Sequence, residues 1–530
     1  MSESIKRRER DAVLQSLQAG LVPKLGLHLI QVGRKQEVAA LLSDLERIEH
    51  GGAAFRIIVG HFGSGKSFFV NLVRTLALQR RLVVAQADFT MERRIQATQG
   101  QARALWSELM RNLATKGKPD GGALRNLCEG WISQIHHEVT QAGGTPEDVK
   151  KRIFVDLRSL QDHVGGFEFA EVLSRYYEGH VSHNDGLQGA ALRWLRGEFC
   201  TKTEAREALG VRRIIDDENF YDGLKLMAAF CRLAGHAGLL VSLDEMVVLS
   251  HRLPNARARQ SNYEAILTIL NDCLQGSVTG LGLLLAGTDE CVEDKRRGLF
   301  SYEALRTRLS ENRFAGENVV DFSGPVVRLA NLTPEDFFVL LRNIRHVHAG
   351  GDPKKYLVPD DALVAVLQKA NETLGAEFYK TPRDVIRSFV GLLSVLEQNP
   401  GKTWQDFVGG DFMPKATGPA SVEEEVHLAS CPKMSLTAIW PRSNSDEPAR
   451  FRSLAFRCAT RHLGNGVEGA SPHSGRGDSF VARRKGPRSY MCLHGQRKNR
   501  GCFSTDHFPA CRGQAGFHSH HLHWTAQGAH

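Results

Sequence analysis

Eight consecutive residues, Gly60-His61-Phe62-Gly63-Ser64-Gly65-Lys66-Ser67, carry the spacing G-x-x-x-x-G-K-[ST]. That pattern makes a loop whose backbone N–H groups turn inward onto phosphate oxygens, because glycine lets the chain curl where other residues clash. A helix opening at Phe68 would add the partial positive charge of its N-terminus behind the loop. The chemistry expected is binding of ATP, with Lys66 reaching the β- and γ-phosphates and the Ser67 hydroxyl taking a ligand position on Mg²⁺.

Hydrolysis needs further groups. The apolar run 238–243 ends in Asp244-Glu245, as a central strand covered on both faces would. Asp244 at the strand end suits the Mg²⁺ ion, and Glu245 suits a general base that activates water. A second apolar run, 282–287, ends at Thr288, a candidate for sensing the γ-phosphate; a plain strand-end threonine fits equally well. Arg308 precedes the short run 326–329 and could reach the γ-phosphate of a neighbouring subunit, with Arg306 and Arg313 behind it. Solvated surface arginines are the alternative. Arg34, in Val32-Gly33-Arg34, is placed on the adenine side, and residues 1–30 supply a loop to wrap over the base. Arg383, at a helix start in Thr381-Pro382-Arg383-Asp384, could fold back onto the nucleotide or simply lie at the surface.

These residues need a scaffold. Short apolar runs at 55–59, 82–88, 239–244, 282–288 and 326–329 alternate with helical patterns. That order implies an α/β fold: a P-loop NTPase parallel sheet with nucleotide at the carboxyl ends of its strands. About 150 residues separate Asp88 from Asp244, far more than one crossover needs, and they read as a helical insertion. Thr333-Pro334-Glu335-Asp336 is a strong helix start, opening a C-terminal helical lid. The expected division is 1–90 for the N-terminal segment and start of the core, 91–222 for the insertion, 223–330 for the second part of the core, 331–412 for the lid and 413–530 for a tail.

The tail differs in kind. Of the formal charge of +9, +7 falls from residue 421 onward, where fifteen Lys and Arg meet eight Asp and Glu. The patterned part is nearly neutral, so bulk charge gives no argument for nucleic acid there. After residue 414 amphipathic runs stop and Cys431, Cys458, Cys492, Cys502, Cys511 and a His-rich end replace them. The cysteines lack the paired spacing of zinc modules. A disordered basic tail and a stretch translated out of frame remain as readings; the composition favours the second. Scattered cysteines elsewhere, no secretory signal and no apolar run of membrane-spanning length place the chain in the cytoplasm, away from the membrane.

The order Gly33-Arg34, Gly60 to Ser67, Asp244-Glu245, Thr288, Arg308, Arg383 resembles AAA+/STAND-type ATPases, especially the Cdc6 and origin-recognition branch. Longer stretches resemble the ATP-binding proteins of bacteriophage-exclusion (BREX) systems, BrxD type: residues 1–13, Leu195-Arg196-Gly197-Glu198-Phe199, residues 270–276 and residues 328–336. The resemblance covers about four-fifths of the chain and implies an ATPase in phage defence. It also implies a superfamily-2 helicase and other defence components as partners, and contact with DNA. An arginine acting in trans requires a homo-oligomer. Two other functions stay open: a nucleotide-gated scaffold that barely turns over, and a DNA-loading ATPase akin to initiators.

Overall fold

The computed structural model describes residues 5–312, 321–374 and 382–408. The tail from 413, Arg313 and Thr381 lie outside the described residues. Five strands form one sheet: β1 (Ala54–Val59), β2 (Val83–Asp88), β3 (Leu239–Asp244), β4 (Leu281–Gly287) and β5 (Val326–Arg328). Their order is β2-β3-β4-β1-β5, and every pairing is parallel. The mixed α/β architecture with a parallel sheet is therefore as expected.

Parallel strands bury both faces, and β1 and β4 show it: every residue of each is buried. The pleat sends alternate residues to opposite sides. Phe55, Ile57 and Val59 join one core, whereas Ala54 and Ile58 join another with the helices Lys35–Glu49 and Lys66–Gln79. Between β2 and β3 the chain runs through seven helices, from Gln101–Arg111 to Phe220–Leu233. Their apolar faces share a continuous core with the first sheet face rather than closing on themselves. Trp106 sits fully buried at that junction and donates its indole N–H to the Leu195 carbonyl at 2.8 Å.

A third core stands apart from the sheet. The N-terminal helix Arg7–Gln18 contributes Val13 and Leu17, which pack with Leu341, Ile344, Phe389 and Leu393 of the helices Pro334–His348 and Pro382–Gln398. The start of the chain thus belongs with the helices that follow the sheet. Thr333 and Asp336 form a reciprocal capping box that fixes where the first of those helices begins.

Two consequences of the topology matter most. β1 and β3 flank β4, so their ends lie about 10 Å apart at the usual strand spacing. The β2–β3 register sets Asp88 opposite Asp244.

Candidate functional site

The loop after β1 folds as its glycines require. Gly65 caps the helix Lys66–Gln79 with φ of 84°, a left-handed conformation that side chains resist. A Cβ on Gly60 would come within 2.7 Å of the Ser64 hydroxyl, so any larger residue there would have to displace that side chain. Lys66 Nζ donates to the carbonyls of Gly60 and His61, each at 2.9 Å, which folds it across the loop it would serve. Burial holds its pKa below the usual lysine value, against the opposing pull of Asp244, Asp289 and Glu245.

The loop helix bridges the gap left by β4. Ser67 Oγ donates to Asp244 Oδ2 at 3.0 Å, joining groups 177 residues apart. The other carboxylate oxygen of Asp244 accepts the Glu245 amide at 2.8 Å. Glu245 takes φ of 59°, unusual for a side-chain residue and costing on the order of 1–2 kcal/mol. It leads through Met246 and Val247 into a π-helical turn, Val248–Arg252.

A cavity of about 260 Å³ opens in front of the loop. Residues 62–68, Asp244 and Glu245 make its polar end. Leu17, Leu21, Val22 and Pro23, with Leu332, Leu340 and Ile386, make an apolar end. Arg34 and Arg383 also line it. Arg34 donates to the Ser64 carbonyl in the loop, and its Nη1 is buried with no hydrogen-bond partner among the described residues. Burial lowers its pKa, and Glu37 and Asp336 act against that. Arg383 Nε donates to the Gly20 carbonyl at 2.7 Å, clasping the N-terminal segment.

Thr288 and Arg308 stand outside this cavity, as do Gly60 and His61 at the start of the loop. The Thr288 hydroxyl lies 3.2 Å from Cys291 Sγ. The next residue, Asp289, faces His61 of the loop at 3.6 Å and Arg328 at 3.0 Å. β4 ends at Gly287, and Thr288 and Asp289 follow it directly. Arg308 is exposed; its Nε donates to Asn271 at 2.6 Å and its Nη1 to the Ala304 carbonyl at 3.0 Å. Asp88 was missed. It reaches solvent at the sheet edge, yet partial desolvation and the facing Asp244 carboxylate both raise its pKa. Only strand pairing reveals that proximity.

The groups present suit a magnesium-bound triphosphate. Among the described residues the buried Ser64 hydroxyl and Arg34 Nη1 find no hydrogen-bond partner, and phosphate oxygens would accept from them. No cluster of three His, Cys, Asp or Glu is gathered for a metal among the described residues. A cation here would take Ser67 and Asp244 and complete its shell with phosphate and water, as magnesium does.

A parallel α/β sheet with a glycine loop at one strand end and an acidic pair two strands away fits the P-loop class of fold. The family of the BREX system ATP-binding protein BrxC/D matches residues 5–411, and the chain belongs to it. It is thus an ATP-binding protein of a phage-defence system. No curated protein matches the chain. No helix among the described residues is long and apolar enough to cross a membrane.

Proposed function

We propose that the chain hydrolyses ATP as a switch or motor of BREX defence, of the BrxD type and with AAA+-like parts. The observation that carries this reading is the 3.0 Å contact between Ser67 and Asp244, which together with Lys66 line a cavity of about 260 Å³. The phosphates lie on the loop from Gly60 to Ser67, with Phe68 opening the helix behind. The base enters the apolar end between residues 17–23 and the lid, and Arg34 and Arg383 hold the two ends together. Lys66 neutralises charge on the β- and γ-phosphates. Mg²⁺, held by Ser67 and Asp244, would draw charge from the phosphate oxygens. Glu245 accepts a proton from the attacking water as its oxygen bonds to the γ-phosphorus. The bond to the bridging oxygen breaks, and ADP and phosphate leave.

Thr288 and Arg308 belong to this proposal as groups that act on the γ-phosphate, Arg308 from a neighbouring copy. Its present bond to Asn271 must then be exchanged on assembly. A superfamily-2 helicase and other defence components are the partners the reading implies.

Phosphate release by the purified full chain tests it. Glu245→Gln should keep ATP binding and lower turnover by about 10²- to 10⁴-fold, the range for a positioned base. Unchanged turnover removes Glu245 from that role. One observation favours a second reading, a nucleotide-gated scaffold. The cavity is walled by two cores, that of the lid with the N-terminal helix and that of the sheet. A bound nucleotide would fasten them together without being cleaved. ATP-dependent assembly with no turnover in the wild type would select it.

A further inference from the structure

The apolar end of the cavity carries few groups that can tell one base from another. Leu17, Leu21, Pro23, Leu340 and Ile386 offer surface without hydrogen bonds. The acids that line the cavity, Asp244 and Glu245, stand at its opposite end. Its arginines are engaged, Arg34 with the Ser64 carbonyl and Arg383 with the Gly20 carbonyl. Outside the phosphate loop one uncharged polar side chain lines the cavity, that of Gln31.

Gln31 is half-buried, in a stretch that is neither helix nor strand. Ile30 and Val32 on either side pack into the core that the N-terminal helix shares with the lid, and Gln31 between them borders the cavity. Its carboxamide makes no hydrogen bond with any described residue. The main-chain N–H and C=O groups of Gln31 and Val32 are likewise without partners among the described residues. Polar groups withdrawn from water are as a rule paired, so an amide held half-buried and unpaired at a cavity wall is placed to pair with what fills the cavity.

We propose that Gln31 reads the nucleobase, its carboxamide oxygen accepting from the 6-amino group of adenine and its NH₂ donating to the adjacent ring nitrogen. The assignment rests on the apolar end being the base end, and is independent of whether ATP is cleaved. A carboxamide presents a donor and an acceptor side by side, and adenine presents the matching pair, which is why this side chain and this base recur together. A purine without the 6-amino group leaves the Gln31 oxygen facing a C–H, withdrawn from water and unpaired. Cytosine offers the same donor and acceptor from a single ring, which covers less of the apolar wall and forfeits part of its burial.

Calorimetry on the full chain with magnesium, comparing ATP with purine riboside triphosphate, which lacks only the 6-amino group, tests it. The wild type should favour ATP by roughly 5- to 150-fold, the range for a paired donor and acceptor on a base edge. Gln31→Leu, close in size and without the amide, and Gln31→Ala should both bring that ratio near one, by weakening ATP and leaving the analogue much as it was. Leu21→Ala should weaken both nucleotides and keep the ratio. Inorganic tripolyphosphate, bound alike by all four proteins, checks that the phosphate end is intact. A ratio near one in the wild type overturns the assignment, as does a wild-type ratio in both Gln31 variants or CTP bound as tightly as ATP. If Leu21→Ala weakens ATP while the Gln31 variants keep the ratio, the base lies at that end and the role of Gln31 alone falls. If neither Leu21→Ala nor the Gln31 variants alter ATP affinity, the reading of the apolar end falls with it.

Discussion

The two ends of the cavity are built in opposite ways. The phosphate end comes from eight contiguous residues and one acidic pair, each at the end of a strand that its own apolar run specifies. The base end comes from residues 17–23 and from a lid more than 300 residues later, joined through a shared apolar core and the bond from Arg383 to the Gly20 carbonyl. One end is local geometry fixed by glycine and helix initiation; the other is an accident of packing that nucleotide can tighten. Damage at the phosphate end should therefore remove function outright, while damage at the base end should weaken it in proportion to the surface lost.

Lys66→Ala should show the sharpest effect. Loss of a charge-assisted contact costs about 1.5–3 kcal/mol, roughly 10- to 150-fold in ATP affinity measured by calorimetry. Near-wild-type affinity would mean that the loop is not where the phosphates lie. Leu21→Ala probes the other end. Leu21 is 62% exposed although it lines the cavity, so its truncation should spare thermal stability. Covering its side chain with a base is worth about 1–2 kcal/mol, so ATP affinity should fall roughly 5- to 30-fold with catalytic rate unchanged. A loss of rate at full affinity would instead couple the base end to chemistry.

The smallest effect is electrostatic. Asp88 holds its proton more tightly in the fold than in the unfolded chain, through desolvation and the facing Asp244. In that situation the native state binds the extra proton, so stability is greatest below the ordinary carboxylate range and is lost as pH rises through the elevated value. Asp88→Asn removes that loss. The nucleotide-free variant should melt higher than wild type at neutral pH, and the difference should fade as pH drops and be gone by about pH 3, where Asp88 is protonated in both states of the wild type. Mg²⁺ with ATP should narrow it, since a cation at Asp244 relieves the repulsion. A gain that persists at acid pH would point to packing instead.

Much of the sheet was legible because buried parallel strands are written as unbroken apolar runs, such as Leu281–Gly287. The start of the lid was legible because Thr333, Pro334 and Asp336 each satisfy a backbone need at a helix N-terminus. Asp289 illustrates the limit. Its place just after β4 can be read locally, but its 3.6 Å approach to His61 follows only from β1 and β4 being neighbours in the sheet. The insertion shows a second limit: its helices were visible as amphipathic periods, but their union with the sheet core depends on contacts between residues far apart.

By itself the amino-acid order determined the phosphate loop, the acidic pair and the strands that carry them, because glycine conformation, helix capping and burial act over a few neighbouring residues. Tertiary structure alone decided that β4 separates the two motif strands, that Ser67 reaches Asp244 across the gap, and that the N-terminal helix joins the lid. Those outcomes depend on strand order and on which apolar faces meet, and no local preference encodes either.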